Sequence, residues 1–279
     1  MDSLKAESSN NNSCVVQIAE RSLEVKSKIQ DAARRSGRME NDVLLVAVSK
    51  YADVDDGIVD GFLRNSLYDL AENRPQKFLT KAEFWSRSSQ WNARDSQIFV
   101  PARNRKDSFL SALRWHFIGN LQRNKARRIL PYVSLIHSVD SWKLLEALER
   151  ILDEEHEKAG TSTEFPEKIS VLLEVHISDD ATKQGFSFDE LERVLPRAFE
   201  LNRVQIRGLM GMAGLNVSED ETRRQFVKLR ETLEYFQKNC PDRNSFCELS
   251  MGMSSDFEIA IEEGSTIVRV GSSLYPSEN

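Results

Sequence analysis

The chain has 279 residues, of which 40% are hydrophobic and 29% charged, and a formal net charge of −6. This length suits a closed α/β barrel better than one sandwich. The acidic balance argues against a nucleic-acid partner, because nucleic-acid-binding proteins usually carry a basic surface. No apolar run is long enough to span a bilayer, and residues 1–13 lack the apolar segment of a secretory signal, so we expect a cytoplasmic protein.

The predicted elements begin after a polar N-terminal segment. Residues 1–14 include a run of Ser and Asn and predict a disordered tail. Helical spacing of apolar residues follows, ending near Gly37, and the first apolar run without alternation comes next, as in a strand buried on both faces. The predicted strands cover 43–48, 66–70, 115–119, 132–137, 169–177, 204–212, 246–249 and 266–270. The predicted helices cover 15–36, 54–64, a segment beginning at Pro75, 120–130, 140–158, a segment beginning after Ser187, 218–239 and 255–264.

Several helix starts carry local signals. Pro75 is favourable in a first helical turn. Ser187, Ser218 and Ser255 are each followed three residues later by Glu, which predicts a capping box at each position.

Eight strands alternating with helices predict a single-domain (β/α)8 barrel over residues 15–279, with one extra helix before the first strand. A doubly wound open sheet is the alternative, but no G-x-G-x-x-G motif follows the first strand. Residues 86–114 form a long Ser-, Asn- and Arg-rich segment. It predicts an insertion over one rim of the barrel, with 98–101 as a possible additional strand.

The cysteines and histidines are scattered along the chain and predict neither a disulfide-stabilised fold nor a metal site. Cys14, Cys240 and Cys247 form neither a disulfide framework nor a metal motif, and four dispersed histidines lack metal-binding spacing. We therefore expect ordinary thiols and no metal. The basic segment 120–128 predicts a solvated helix face, since no aromatic residues interleave with its charges.

Lys50 follows the first predicted strand at the edge where barrels carry their functional residues. Partial removal of an amine from water favours its neutral, nucleophilic form, which condenses with aldehydes. The alternative is an amine that extends from the barrel mouth into solvent.

The last two strand ends predict an anion site. Arg269 lies within the last strand, and Gly271 and Ser272 follow it in a turn that offers backbone amides and a hydroxyl. Ser250 and Ser254 occupy the corresponding turn one unit earlier. Barrels commonly bind phosphate at these turns, so together with Lys50 they indicate an aldehyde that carries a phosphate.

Several strings of residues, in order, resemble one known family. They are AVSK at 47–50, WHFIGNLQRNK at 115–125, IHSVDS at 136–141, IRGLM at 206–210, LSMGMSSDF at 249–257 and GSTIVRVGS at 264–272. The chain resembles the pyridoxal phosphate homeostasis protein family, whose barrel is like the N-terminal domain of alanine racemase (fold type III). The resemblance covers about residues 43–274 outside the insertion.

The resemblance implies that pyridoxal 5′-phosphate (PLP) is the cofactor and that Lys50 forms a Schiff base with it. It places one group of residues around the phosphate and a second group beside the ring. Arg269 is expected to face the pyridine nitrogen. The residues expected around the phosphate are Ser250, Ser254, Gly271 and Ser272, and those expected beside the ring are Asn73, His116 and Ser138.

The sequence departs from the family pattern at the rim. Ala71 and Arg74 stand where the family has Gly and Tyr, and His176 replaces an asparagine. The 86–114 segment is longer than usual, and Ser273 begins a C-terminal run, to Pro276, where the family continues with Gly. These differences concern access and partner surfaces, and the lysine and phosphate positions are kept.

Two functions are compatible with these residues. The first is a PLP carrier in intracellular PLP homeostasis, which delivers PLP to PLP-dependent apoenzymes and works as a monomer or weak dimer. The second is an amino-acid racemase. Racemases of this fold take a second acid–base from a C-terminal domain, and this chain ends nine residues after the last predicted strand. An arginine at the pyridine nitrogen weakens the ring as an electron sink. Racemases of this fold tolerate such an arginine, so this feature disfavours vigorous carbanion chemistry without forbidding racemisation. The carrier without robust catalysis is therefore the favoured function.

Overall fold

A computed structural model describes residues 2–89, 91, 93–104, 112–159, 164–178 and 184–276. Eight parallel strands close into a barrel in chain order. They are β1 (Leu44–Val48), β2 (Asp69–Glu72), β3 (Arg114–Phe117), β4 (Val133–Val139), β5 (Ile169–Glu174), β6 (Val204–Met210), β7 (Glu248–Ser250) and β8 (Ile267–Val270). The α-helices are α1 (Asp2–Arg35), α2 (Ile58–Arg64), α3 (Pro75–Trp85), α4 (Ala93–Ser96), α5 (Arg123–Ile129), α6 (Trp142–Ala159), α7 (Phe188–Ala198), α8 (Glu219–Gln237) and α9 (Phe257–Glu262). Among the described residues, no helix is both long and apolar enough to cross a membrane.

The pairing of the first and last strands closes the sheet. Leu44 pairs with Ile267 and Ala47 pairs with Val270, in parallel register. The predicted (β/α)8 barrel is therefore confirmed, and the open-sheet alternative is wrong. The second strand lies later than predicted, because Ser66 has a φ of 59° in the turn after α2 and so cannot begin an extended strand.

Two of the three predicted helix caps are present. Ser187 Oγ accepts from the Glu190 amide at 3.3 Å, and the Glu190 carboxylate accepts from the Ser187 amide at 2.8 Å. Ser218 Oγ likewise accepts from the amide three residues later. The predicted cap at Ser255 is wrong. Asp256 occupies the N-cap position of α9, and its carboxylate instead accepts from the Met253 amide at 2.6 Å.

The first helix anchors the N-terminal part of the chain. Its buried face carries Ile18, Val25 and Ile29 and packs on α2 and α9. The helix begins at Asp2, so its backbone includes the segment for which the sequence predicts a disordered tail. Extending a helix costs much less than nucleating one, so the polar composition of this segment is compatible with a helix that begins at Asp2. The 1–14 boundary stays a prediction.

Two apolar clusters fill the molecule. The larger one lies between the strands and the surrounding helices. The smaller one fills the barrel interior and includes Val46, Leu135, Leu172 and Ile267. Since side chains alternate along a strand, Arg269 also points into the interior, two residues after Ile267.

The long segment before β3 lies at the amino-terminal rim of the barrel. Phe99 joins the interior cluster, and the Gln97 side chain donates to the carbonyl oxygens of Pro131 (2.6 Å) and Glu164 (2.8 Å), both ahead of their strands. Residues 98–101 form no strand, because a closed barrel offers no edge for an additional one. The described part of the segment thus lies at the rim opposite the strand ends that carry Lys50, and its status as an insertion stays a prediction.

Candidate functional site

A cavity of about 360 Å³ opens at the carboxyl ends of the strands. Its volume suits a small molecule. Its apolar wall includes Val48, Ile118 and Met212. Of the nine residues predicted from the sequence, six line this cavity: Lys50, Asn73, Ser254, Arg269, Gly271 and Ser272.

Lys50 follows β1 directly and supplies the amine of the cavity. The side chain is half-buried, so it is neither fully enclosed nor free in solvent. Its Nζ lies 4.8 Å from the centroid of the Tyr51 ring, and an aromatic face attracts an ammonium group. The amine is therefore held at the cavity edge.

The backbone around Lys50 is fixed by three hydrogen bonds. Arg74 Nη2 donates to the Lys50 carbonyl oxygen at 3.1 Å. Tyr275 Oη accepts from the Tyr51 amide at 3.3 Å and donates to the Val48 carbonyl oxygen at 3.1 Å. Burial raises the pKa of Tyr275, so this phenol stays protonated and keeps its donor. The lysine is thereby presented from a rigid segment.

A buried ion pair lies directly behind this segment. Lys81 Nζ is 2.5 Å from Glu72 Oε2, and the two side chains are 2% and 0% exposed. Lys81 also donates to the Ser49 carbonyl oxygen at 2.5 Å. Glu72 Oε1 accepts from the backbone amides of Asn73 and Arg74 at 2.9 and 3.1 Å. One ion pair thus fixes the strand ends of both β1 and β2.

Asn73 presents an unsatisfied acceptor at the cavity. Its Oδ1 is buried and has no hydrogen-bond partner within the described part of the chain. Its backbone is held closely by Gly119, where an added Cβ would lie 1.8 Å from the Asn73 carbonyl oxygen. Since buried acceptors are normally paired, Asn73 is suited to a ligand.

The turns after β7 and β8 meet at one hydroxyl. Ser254 Oγ accepts from the amides of Gly271 at 3.1 Å and Ser273 at 3.4 Å. The approach depends on Gly252, whose φ is 94° and where an added Cβ would lie 2.6 Å from the Ala260 Cβ. The Ser254 hydroxyl proton is used in neither of these hydrogen bonds, so it can be donated to an oxyanion.

Arg269 forms the floor of the cavity. It is 3% exposed, and its guanidinium donates to Ser250 Oγ at 2.6 Å and to the Gly211 carbonyl oxygen at 3.3 Å. Burial lowers its pKa to about 10, opposed by the charges of Asp256 and Glu174. The group therefore remains a charged donor near neutral pH.

Three of the predicted residues lie behind the cavity wall. Ser250 and His116 are fully buried and belong to a hydrogen-bonded chain inside the barrel. Ser138 donates to the Gly119 carbonyl oxygen. Sequence reasoning missed Lys81 and Gly119. Gly119 has a signal, because it lies within the string at 115–125, whereas Lys81 has none in the local pattern.

The family comparisons agree with this geometry. Residues 105–278 match the alanine racemase N-terminal domain family. A protein of *Aquifex aeolicus* named pyridoxal phosphate homeostasis protein is 34% identical over 258 residues, covering 92% of this chain and 96% of the relative. A protein of the same name from *Escherichia coli* is 30% identical over 92% of this chain and 95% of its own length.

Solved structures give the same relationship. PipY of *Synechococcus elongatus*, determined with PLP bound, superposes with a TM-score of 0.71 at 30% identity, covering 93% of this chain and all of PipY. Alanine racemase of *Corynebacterium glutamicum* has a TM-score of 0.57 at 14% identity, with 95% of this chain matched to 61% of the racemase. The second likeness concerns the fold alone.

Proposed function

The chain belongs to the pyridoxal phosphate homeostasis protein family, and from that premise we propose that it holds PLP as a Schiff base on Lys50 and acts as a carrier in PLP homeostasis. The observation that carries the proposal is a single cavity lined by the Lys50 amine, by Ser254 in the turn after β7 and by Arg269. PLP, when bound, supplies an aldehyde that exchanges between amines.

The residues present fit this cofactor. The Lys50 amine can condense with the aldehyde, and the unsatisfied Asn73 Oδ1 can accept from a polar substituent of the ring. Ser254 and Ser272 offer hydroxyls to the phosphate, and Gly271, which has no side chain, leaves room for it beside them. Hydrogen bonds to an anion are among the stronger ones in proteins, so the phosphate contacts supply much of the affinity.

Arg269 disfavours vigorous carbanion chemistry without forbidding racemisation. A guanidinium can donate but never accept a hydrogen bond, so a pyridine nitrogen that accepts from it stays unprotonated. An unprotonated ring withdraws electrons less strongly. We propose, as part of the same function, PLP-dependent apoenzymes as recipients, a monomer or weak dimer, and a cytoplasmic location.

The lysine assignment is tested by reduction and peptide mapping. Protein incubated with PLP should absorb in visible light, and borohydride should fix the cofactor to the peptide that contains Lys50. Lys50→Ala should lose the absorption and keep some PLP, while Lys77→Ala, at a partly exposed lysine of α3, should behave as the parent. A label on any other lysine would end the assignment.

The phosphate assignment is tested with two ligands. Ser254→Ala should weaken PLP about tenfold, the effect of one hydrogen bond to a charged group, and leave the affinity for pyridoxal, which lacks the phosphate, unchanged. An equal loss of affinity for both ligands would contradict a contact between Ser254 and the phosphate. Racemisation of amino acids at about 1 per second or faster would favour the enzyme instead.

A further inference from the structure

Polar side chains cross the barrel interior from one rim to the other. Asp69 and Arg114 stand at the starts of β2 and β3 and form a paired ion contact, with both nitrogen–oxygen distances 3.0 Å. We call this row of side chains the interior chain; in order from the cavity its members are Arg269, Ser250, His137, His116, Asp69 and Arg114. All six residues are at most 3% exposed.

The contacts along the interior chain are continuous. Arg269 Nη1 lies 2.6 Å from Ser250 Oγ, which lies 2.7 Å from His137 Nδ1. His137 Nε2 lies 2.9 Å from His116 Nδ1. His116 Nε2 lies 3.1 Å from Asp69 Oδ1. Each ring nitrogen of both histidines is therefore used.

The two ends of the interior chain fix its direction. A guanidinium only donates, so Ser250 Oγ accepts from Arg269. A carboxylate only accepts, and Arg114 keeps Asp69 in that form, so His116 Nε2 carries a proton. With neutral rings, His137 Nε2 then donates to His116, and the Ser250 hydroxyl donates to His137 Nδ1. From Arg269 to His116, every donor points away from the cavity towards Asp69, and Arg114 donates to Asp69 from the opposite side.

Two other arrangements satisfy the same distances. In the first, His137 is a cation that donates to both His116 and Ser250. In the second, His137 is neutral and the charge lies on the other ring. His116 would then be a cation that donates to both Asp69 and His137, and His137 would donate from Nδ1 to Ser250. Each of these arrangements adds a third buried cation to the interior beside Arg114 and Arg269, which costs desolvation energy. Burial, His116 and Arg269 all lower the pKa of His137 well below its ordinary value, in agreement with a neutral ring.

We propose that His116, His137 and Ser250 are positioning residues that orient Arg269 at the cavity floor, and that the Asp69–Arg114 pair at the opposite rim sets their direction. This inference rests on the proposed function, in which Arg269 faces the pyridine ring. The Ser250 hydroxyl proton is committed to His137, so its oxygen is left as an acceptor for Arg269. Loss of that acceptor frees the guanidinium to rotate.

The ring nitrogens can be read directly in ligand-free protein. Nitrogen-15 NMR of histidine-labelled protein near neutral pH should show His116 and His137 both neutral and both protonated at Nε2. His156→Gln and His176→Asn, at the two histidines outside the interior chain, assign the remaining signals. A cationic His116, or a His137 protonated at Nδ1, would overturn the proposal. The measurement needs no substitution within the interior chain.

The positioning role is tested with a ligand that lacks the aldehyde. Ser250→Ala and His137→Leu should weaken pyridoxine 5′-phosphate about tenfold and leave inorganic phosphate unchanged. His137→Asn, which keeps an acceptor near Nδ1, should recover part of the loss. The matched control is Ser134→Ala, which removes a buried hydroxyl that donates to the Trp115 carbonyl oxygen outside the interior chain.

The outcomes separate this inference from the proposed function. Equal loss of both ligands, or loss in Ser134→Ala as large as in Ser250→Ala, would indicate a structural role and refute positioning. Failure of the parent protein to bind either PLP or pyridoxine 5′-phosphate would refute the proposed function, while the NMR result would still decide the direction of the interior chain.

Discussion

Replacing Lys81 by Met tests how the two strand ends beside the cavity are held. The substitution keeps the apolar stem of the side chain and removes the ammonium that contacts Glu72 at 2.5 Å. It also removes the donor to the Ser49 carbonyl oxygen. The Glu72 carboxylate, 0% exposed, is then left in the interior without its cation.

The expected loss of unfolding free energy follows from this burial. Removing one partner of a buried ion pair typically costs about 3–5 kcal/mol. Glu72 keeps two backbone donors, from Asn73 and Arg74, which continue to stabilise the charge. We therefore expect about 3 kcal/mol, the lower end of that range.

Urea unfolding of the ligand-free protein measures this loss, with an unchanged m-value. Lys77→Met is the matched control on the same helix. The Lys77–Asp53 pair has a similar length, 2.7 Å, but its side chains are 35% and 64% exposed, so it should cost about 1 kcal/mol or less. Adding Glu72→Gln to Lys81→Met should recover part of the loss, because it removes the unpaired charge. The reasoning is refuted if Lys81→Met costs no more than Lys77→Met.

Three further predictions concern single positions. Gly119→Ala should lower the free energy of urea unfolding by about 1–3 kcal/mol, since its Cβ would overlap the Asn73 carbonyl. Gly271→Ala, whose added Cβ has its nearest contact at 3.4 Å, should change the free energy of unfolding little. Equal effects of the two substitutions would contradict the close approach of Gly119 to Asn73. Ser187→Ala should cost about 1 kcal/mol through loss of the α7 cap, and no loss of stability would argue against that cap. The pKa of His137 is lowered in the folded state, so its contribution to the free energy of unfolding should be complete above about pH 6.5. That contribution should be lost as the pH drops towards the folded-state pKa, with a slope of at most about 1.4 kcal/mol per pH unit. If a His137→Asn variant shows the same slope in urea unfolding at different pH values, His137 is not the origin of the pH dependence.

The fold was largely predictable because its signals are local. Uninterrupted apolar runs such as 43–48 indicate strands covered on both faces, and Ser187 and Ser218 mark helix starts through contacts only three residues long. The prediction of a cap at Ser255 was wrong because a different local contact is made there. The Asp256 carboxylate accepts from the Met253 amide in the preceding turn. The spacing of Ser255 and Glu258 alone does not reveal that competing hydrogen bond.

The candidate site was predictable to the extent that its residues lie at strand ends. Lys50, Gly271 and Ser272 follow their strands directly, and parallel strands all end at the same rim, so their meeting in one cavity required only the order of elements. The amino-terminal position of the 86–114 segment follows equally from topology, because it connects a helix to the next strand.

The alternation of strands and helices, and the residues at the strand ends, can be read from the amino-acid order. The contacts of Ser250 with Arg269 and His137 behind the cavity wall, and the pairing of Lys81 with Glu72, emerge only in the folded barrel. Those partners lie far apart in the chain or on different elements. Barrel closure and strand register determine which side chains face each other across the interior, and both depend on the packing of the whole chain.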